Sequence, residues 1–397
     1  MSLYTEIRKK SEHYFSEMVN HRRFLHQYPE LSFKEYKTTK YIESVLQSLE
    51  IPIDNPAETG CVGVLKGGKE SDKVVALRAD IDALPINEEG EHKKAYISQN
   101  QGVAHCCGHD IHTANLLGAS QILSDMKEHI EGTVLLVFQA AEEKLPGGGR
   151  KLCETGYLQD KGVQAIYGLH TNPDLKPGEI AIRKGPFMAR PDEFEIELVG
   201  KGGHAAAPHQ AIDPIVIASQ VVLGIQTIVS RNVDPNEPAV VTVGKFEGGS
   251  AHNIIPENAK IYGTIRTFSE ELSKHISNRI EALATNISKS MGGSCTYKLN
   301  QGYPAVINTD WCVDKLEAAA EDVMETGSVK TLEKPIMAGE DFAFYQQHFP
   351  GTFFFLGSGG EEVGAVYPWH HPKYNANEEC LKTGASLMAS VAFQPIK

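Results

Sequence analysis

The sequence has no uninterrupted apolar run long enough to read as a membrane span. Its most apolar long stretch, residues 212–229, is broken by Asp213, Pro214, Ser219, Gln220 and Gln226, which fits a buried amphipathic helix rather than a lipid-facing one. Positive charge is also scarce. Against 51 Asp and Glu there are 38 Lys and Arg, a net charge of −13, and no basic stripe is present. That argues against nucleic acid and anionic membrane as partners, both of which need clustered cations. The opening MSLYTEIRKKSEHYF is charged and amphipathic, without the positive patch and apolar core of a secretory signal. Cysteines number seven, at 61, 106, 107, 153, 295, 312 and 380. An odd, irregular set spread over a long chain is unlike a disulfide scaffold and points to a reducing compartment, the cytoplasm. The glycine clusters lack phosphate-loop and dinucleotide spacing: LPGGGRK is not GxxxxGK, and GKGGH is not GxGxxG. Internal repeats and low-complexity segments are absent.

What is there is ordinary for a soluble enzyme, with 41% apolar and 22% charged residues in 397, a length that predicts two domains. Up to residue 185, short β-branched runs (VGVLKG, KVVALRAD, GTVLLVFQAA, VQAIYGLH) alternate with helical stretches such as HTANLLGASQILSDM and the segment after Pro146. This alternation predicts an α/β layer with a mostly parallel sheet, whose functional residues belong at the carboxyl ends of the strands. After Gly185-Pro186 the pattern changes to βαββαβ: EFEIELVGKGG, a long helix, AVVTVGKFEGG, AKIYGTIRTF, a second helix and CTYKLNQGYP. That order is the split βαβ of ferredoxin-like domains. The expected organisation is a catalytic domain of residues 1–186 and 299–397, with residues 187–298 inserted as a smaller α+β domain.

Ligand-type side chains recur at predicted strand ends. Cys107 and His109, in HCCGHDIH, are two apart, so in an extended segment both project to one side. A thiolate and an imidazole suit a borderline metal such as zinc, manganese, nickel or cobalt. GTVLLVFQAA ends in Glu142-Glu143, where one carboxylate can hold metal while its neighbour serves as general base toward an activated water. His170 closes VQAIYGLH, and Trp369-His370-His371-Pro372 adds two more imidazoles near the C-terminus. Any one of these alone is more often structural; four separate elements shift the balance toward a metal site. Asp80 and Asp82, in ALRADIDALP, can orient ligands from behind.

Seven motifs follow one another in order: RRFLHQYPELSFKE, ALRADIDALP, CGHDIHTA, QAAEE, GKGGHAAAPH, HNIIPE and AGEDFAFY. On these the chain resembles the aminoacylase–carboxypeptidase metallohydrolases (peptidase clan MH), in the branch of hippurate hydrolases and plant auxin-conjugate hydrolases, from Arg22 to Glu379. The resemblance implies an amidohydrolase that cleaves N-acyl amino acids with two divalent metal ions. It implies Cys107, His109, Glu143, His170 and His370 as ligands, with Cys107 bridging, and Glu142 as general base. The family's His-x-Pro pattern selects His370, with His371 as the alternative. It further implies that the inserted domain is a lid that often dimerises, so a homodimer or higher homo-oligomer is expected. His204 would act as an oxyanion donor, in some dimeric relatives reaching the partner chain's site, and Asn253 and Arg266 would contact substrate, the Arg gripping a carboxylate. Two positions depart from the family pattern: Ala140 stands where Pro is usual, and Cys106 where Ala is usual. A dipeptidase or aminopeptidase of the same family shares all this metal chemistry. An inactive metal-binding relative would have lost the base or a ligand, and none is missing.

Overall fold

The structure, a computed structural model, describes residues 2–396. The chain forms two compact units. One comprises the chain up to Phe187, Ile307–Lys334 and the chain from Asp341 onward; the other comprises Met188–Val306 and Pro335–Glu340.

The first unit is built on an eight-stranded sheet. Its order is Ile53–Asp54, Cys61–Lys66, Glu131–Gln139, Lys69–Asp80, Ala165–Asn172, Gly351–Gly357, Ile180–Ile182 and Val329–Thr331. The four middle strands run parallel; antiparallel neighbours flank them, Cys61–Lys66 on one side and Ile180–Ile182 on the other. The middle strands read as continuous apolar runs because both faces are covered. From Val134 through Gln139 every residue is buried, the pattern of a parallel sheet sandwiched between helices. Helix His109–Asp125 is buried almost all round, which its small and apolar residues allow. Its N-terminus lies where the strands Lys69–Asp80 and Ala165–Asn172 end, as its contacts with both show.

The second unit is an antiparallel four-stranded sheet ordered Val240–Gly248, Asn258–Thr267, Arg190–Val199, Ser294–Asn300. With two helices, Pro214–Asn232 and Glu270–Ser290, this is the ferredoxin-like order expected from the βαββαβ pattern. Asp213 caps the first helix by accepting from the amides of Ile215 and Val216, with Pro214 at the first helical position; Ser269 caps the second. Pro214–Asn232 is long and apolar enough by composition to cross a membrane. Here Ile217, Val221, Ile225 and Ile228 recur at helical spacing and pack into a core with Phe194, Ile196, Ile261 and Ile265 of the sheet.

Candidate metal centre

The Cys107–His109 segment is not extended, contrary to the strand-like reading. Gly108 has φ +100° and turns the chain directly into the helix that begins at His109. A Cβ at this position would lie 2.3 Å from Thr171 Oγ1 and 2.7 Å from Tyr374 Oη, so both the backbone angle and the close approach demand glycine. At the first helical position, His109 donates from Nδ1 to the Asp82 carbonyl at 3.0 Å, with Asp82 Oδ1 at 3.2 Å. A carbonyl can only accept, so Nδ1 carries a proton and Nε2 is the nitrogen left to face a metal. That Nε2 is buried and has no hydrogen-bond partner; Asp80 Oδ2 lies 3.7 Å away and Glu143 Oε1 3.9 Å away.

Glu142 and Glu143 lie beyond the strand, which ends at Gln139, so strand alternation is not what separates them. Ala141 adopts φ +54°, a left-handed conformation that costs a non-glycine residue roughly 1–2 kcal/mol. The turn is held by Asp82, whose two carboxylate oxygens accept from the amides of Glu142 and Glu143, each at 3.0 Å, while Ser32 Oγ donates to it at 2.7 Å. Ligand atoms of His109, Glu142 and Glu143 lie within 4.8 Å of one another, as do those of Cys107, Glu143 and His370.

His170 sits two residues before the end of its strand. Its Nδ1 donates to the Thr171 carbonyl at 2.8 Å, leaving Nε2 facing Cys107 Sγ at 3.3 Å. Trp369 packs edge-on against the His170 ring and donates to the same Thr171 carbonyl. His370, at φ +65°, donates its amide to the Cys106 carbonyl and brings Nε2 to 3.1 Å from Glu143 Oε1, an oxygen that is buried yet makes no hydrogen bond. The His371 ring instead accepts from the Lys373 amide and stacks on Tyr367. His112, three residues along from His109, has both nitrogens engaged, with Asp80 Oδ1 at 2.6 Å and the Thr171 amide at 2.9 Å.

The electrostatics are those of excess negative charge in a dry pocket. Burial, reinforced by Glu143 and Glu142, pushes the Cys107 thiol well up. Burial, with His112 beside it, holds His170 well below its ordinary value and neutral. Burial opposes a charge on His109, but Asp80, Asp82 and Glu143 outweigh it and raise the imidazole to about 10. A set of sulfur, nitrogen and oxygen donors, in which the buried His109 Nε2 and Glu143 Oε1 make no hydrogen bond, fits a divalent cation, which would supply positive charge and favour the thiolate.

In the second unit His204 pairs with Ile254 between two short strands, and Ala205 donates to the Asn253 carbonyl, so His204 and Asn253 are neighbours. The His204 ring accepts from the Ala206 amide at 3.0 Å. Arg266 is half-buried, its Nη1 has no hydrogen-bond partner, and burial lowers its pKa. The supporting roles of His112, Thr171 and Ser32 have no signature of spacing in the sequence, although Ser32 and His112 lie within the first and third motifs.

A model of peptidase family M20/M25/M40 matches residues 76–394. The chain belongs to this family. It is similar to an N-acetyl-L-cysteine deacetylase of Bacillus subtilis, 40% identical over 92% of this chain and 85% of the relative. It is equally similar to IAA-amino acid hydrolase ILR1-like 4 of Arabidopsis thaliana, 40% identical over 96% and 86%. A crystal structure described as a dinuclear metal binding peptidase from the M20 family, of Bacillus subtilis, superposes with a TM-score of 0.82 at 35% identity, covering 96% of this chain and 98% of the other. As a member of the M20 family the protein is a metal-dependent hydrolase of amide bonds.

Proposed function

We propose that this M20 member hydrolyses N-acyl amino acids, releasing the acyl group as a carboxylic acid, with two divalent ions of the zinc, manganese, nickel or cobalt type. The observation that carries this reading is the convergence of lone pairs. Cys107, His109, Glu143 and His170 bring their ligand atoms close together, and the buried His109 Nε2 and Glu143 Oε1 make no hydrogen bond. We assign these four and His370 as the residues that would hold the ions. Divalent ions held there would polarise the scissile carbonyl and make water nucleophilic at neutral pH. Glu142, whose amide is fixed by Asp82, takes the proton of the attacking water and passes it to the leaving amine nitrogen. The unpaired Nη1 of Arg266 suits the carboxylate of the amino-acid half. Asn253 contacts the substrate, and His204 donates to the developing oxyanion.

The second unit acts as a lid and dimerisation element in this proposal, and the enzyme works as a homodimer or larger homo-oligomer in the cytoplasm. All seven cysteines are unpaired, which suits that compartment. The decisive experiment is metal analysis of protein purified without chelator, together with a panel of N-acetyl and N-benzoyl amino acids set against dipeptides. Preferential cleavage of the N-acyl compounds supports the reading. Preference for dipeptides would favour the peptidase alternative, which the similarity to a protein described as a peptidase keeps in view. Mixing a Cys107→Ala protein with a His204→Ala protein tests the oligomer: activity recovered on subunit exchange means that His204 serves the partner's site.

A further inference from the structure

The amides of Ala141, Glu142 and Glu143 are three consecutive donors, and each meets a buried carboxylate. Asp82 takes the last two. The first is taken by Glu35, which is fully buried and comes from the distant N-terminal turn: its Oε1 accepts from Ala141 at 2.9 Å. The same Oε1 accepts from the Phe33 amide at 2.9 Å, and Oε2 accepts from Thr59 Oγ1 at 2.8 Å. The turn carrying Glu35 is fixed in its own right. Its carbonyl receives Thr39 Oγ1, which in turn accepts from the Gly60 amide. Glu35 therefore joins a fixed turn to the one non-glycine residue in the loop with a positive φ, Ala141.

We infer that Glu35 is a positioning residue for hydrolysis: by holding the Ala141 amide it keeps the left-handed turn that aims the Glu142 carboxylate. The inference rests on the reading of Glu142 as general base. The physical argument is leverage. Asp82 fixes where the amides of residues 142 and 143 sit, but the rotation of the loop before them depends on Ala141, whose conformation is intrinsically unfavourable. Without an acceptor its amide would be left unsatisfied in the interior, and the loop would rotate to find one. A small swing at the backbone becomes a displacement of the order of ~1 Å at a carboxylate, enough to lower turnover about a hundredfold. Burial, with Asp82 nearby, pushes the Glu35 carboxyl up to about 7, and an uncharged isostere that keeps the same contacts should serve at this position.

Glutamine is that isostere. Its Oε1 can accept from Phe33 and Ala141, and its Nε2 can donate to Thr59 Oγ1. The metal-loaded enzyme with Glu35→Ala should show kcat lowered about ten- to a hundredfold, with KM within about threefold and metal content unchanged. Glu35→Gln should restore kcat to within about threefold of the parent. If Glu35→Ala does not fold, Glu35→Asp, which keeps the charge but falls one methylene short of Ala141, should give about a tenfold loss. Full turnover in folded Glu35→Ala or Glu35→Asp overturns the inference, as does a Glu35→Gln protein as impaired as Glu35→Ala. In a Glu142→Gln background, Glu35→Ala should cause no further loss if it acts through the base; multiplicative losses overturn it. An active Glu142→Gln enzyme would remove the base assignment itself. An inactive one beside a fully active Glu35→Ala would remove only the role given to Glu35.

Discussion

Two clusters of buried charge meet at the start of the helix His109–Asp125, and adjacent residues belong to each. Asp110 accepts from Arg22 Nε and His26 Nδ1, both at 2.8 Å. His26 Nε2 reaches Glu88 at 2.6 Å, Lys93 reaches the same carboxylate at 2.7 Å, and Arg22 continues to Glu378 at 3.1 Å. A carboxylate thus meets each ring nitrogen of His26, and three basic side chains, Arg22, His26 and Lys93, stand against three carboxylates, Asp110, Glu88 and Glu378. One residue back, His109 belongs to a set of donors that finds no such balance: His109 Nε2 and Glu143 Oε1 are buried without a hydrogen bond. Buried polar groups in folded proteins are almost always paired. The closed network therefore reads as architecture, and the open one as a place left for a cation.

Opening the difference from the metal side should have the largest effect. His109→Ala or Cys107→Ala should lose bound metal and abolish hydrolysis, by elemental analysis and rate measurement. Variants with full metal and full activity would mean that the open cluster is not the site. Next, Glu142→Gln keeps the shape of the site but cannot accept a proton. Its turnover should drop at least about a hundredfold while metal content stays at the parent level; equal turnover would leave the base unidentified.

The closed network should answer in stability instead. Arg22→Ala leaves Asp110 with His26 as its remaining partner, and breaking a buried pair of this kind costs up to roughly 3–5 kcal/mol, to be read from denaturant unfolding. Turnover per folded, metal-loaded molecule should change little. A large loss of turnover at unchanged stability would move Arg22 to the catalytic side of the comparison. The smallest effect is a pH dependence. Burial opposes the charge on Glu88, but His26 and Lys93 outweigh it and hold the carboxyl at about 2, below the unfolded value of about 4.3. Its stabilisation is thus complete above the unfolded value and is lost as pH falls through the folded one. Unfolding measured from pH 5 downward should steepen below about 4.3, and Glu88→Gln should flatten that slope. A parent slope unchanged by the substitution would show that Glu88 is not what titrates.

Much of this was legible in linear form. Continuous apolar runs such as TVLLVF announce strands covered on both faces, and the change of pattern after Pro186 announces a second kind of sheet. The candidate ligands stand out because Cys, His and Glu recur next to those runs. The local geometry was less legible. Cys107-Gly108-His109 reads as extended by spacing but is a turn into a helix, because Thr171 and Tyr374 leave no room for a Cβ at position 108. Glu142-Glu143 reads as a strand end but is a loop clamped by Asp82 and Glu35. Both departures come from side chains distant in sequence, which no local pattern contains.

The sequence by itself determined the family, the two kinds of sheet and the donor types on offer, because periodicity and side-chain chemistry are properties of short segments. Only the tertiary structure decided which donors stay free. His109 and His112 are the same residue type on the same helix, three positions apart. One has a ring nitrogen open to a metal because Asp82 engages its Nδ1 and no hydrogen bond meets its Nε2. The other has none to give, because Asp80 and the Thr171 amide occupy both its nitrogens. A histidine's tautomer and vacancy are set by what reaches its second nitrogen, and that partner arrives from strands that are far away along the chain and adjacent only once the sheet has formed.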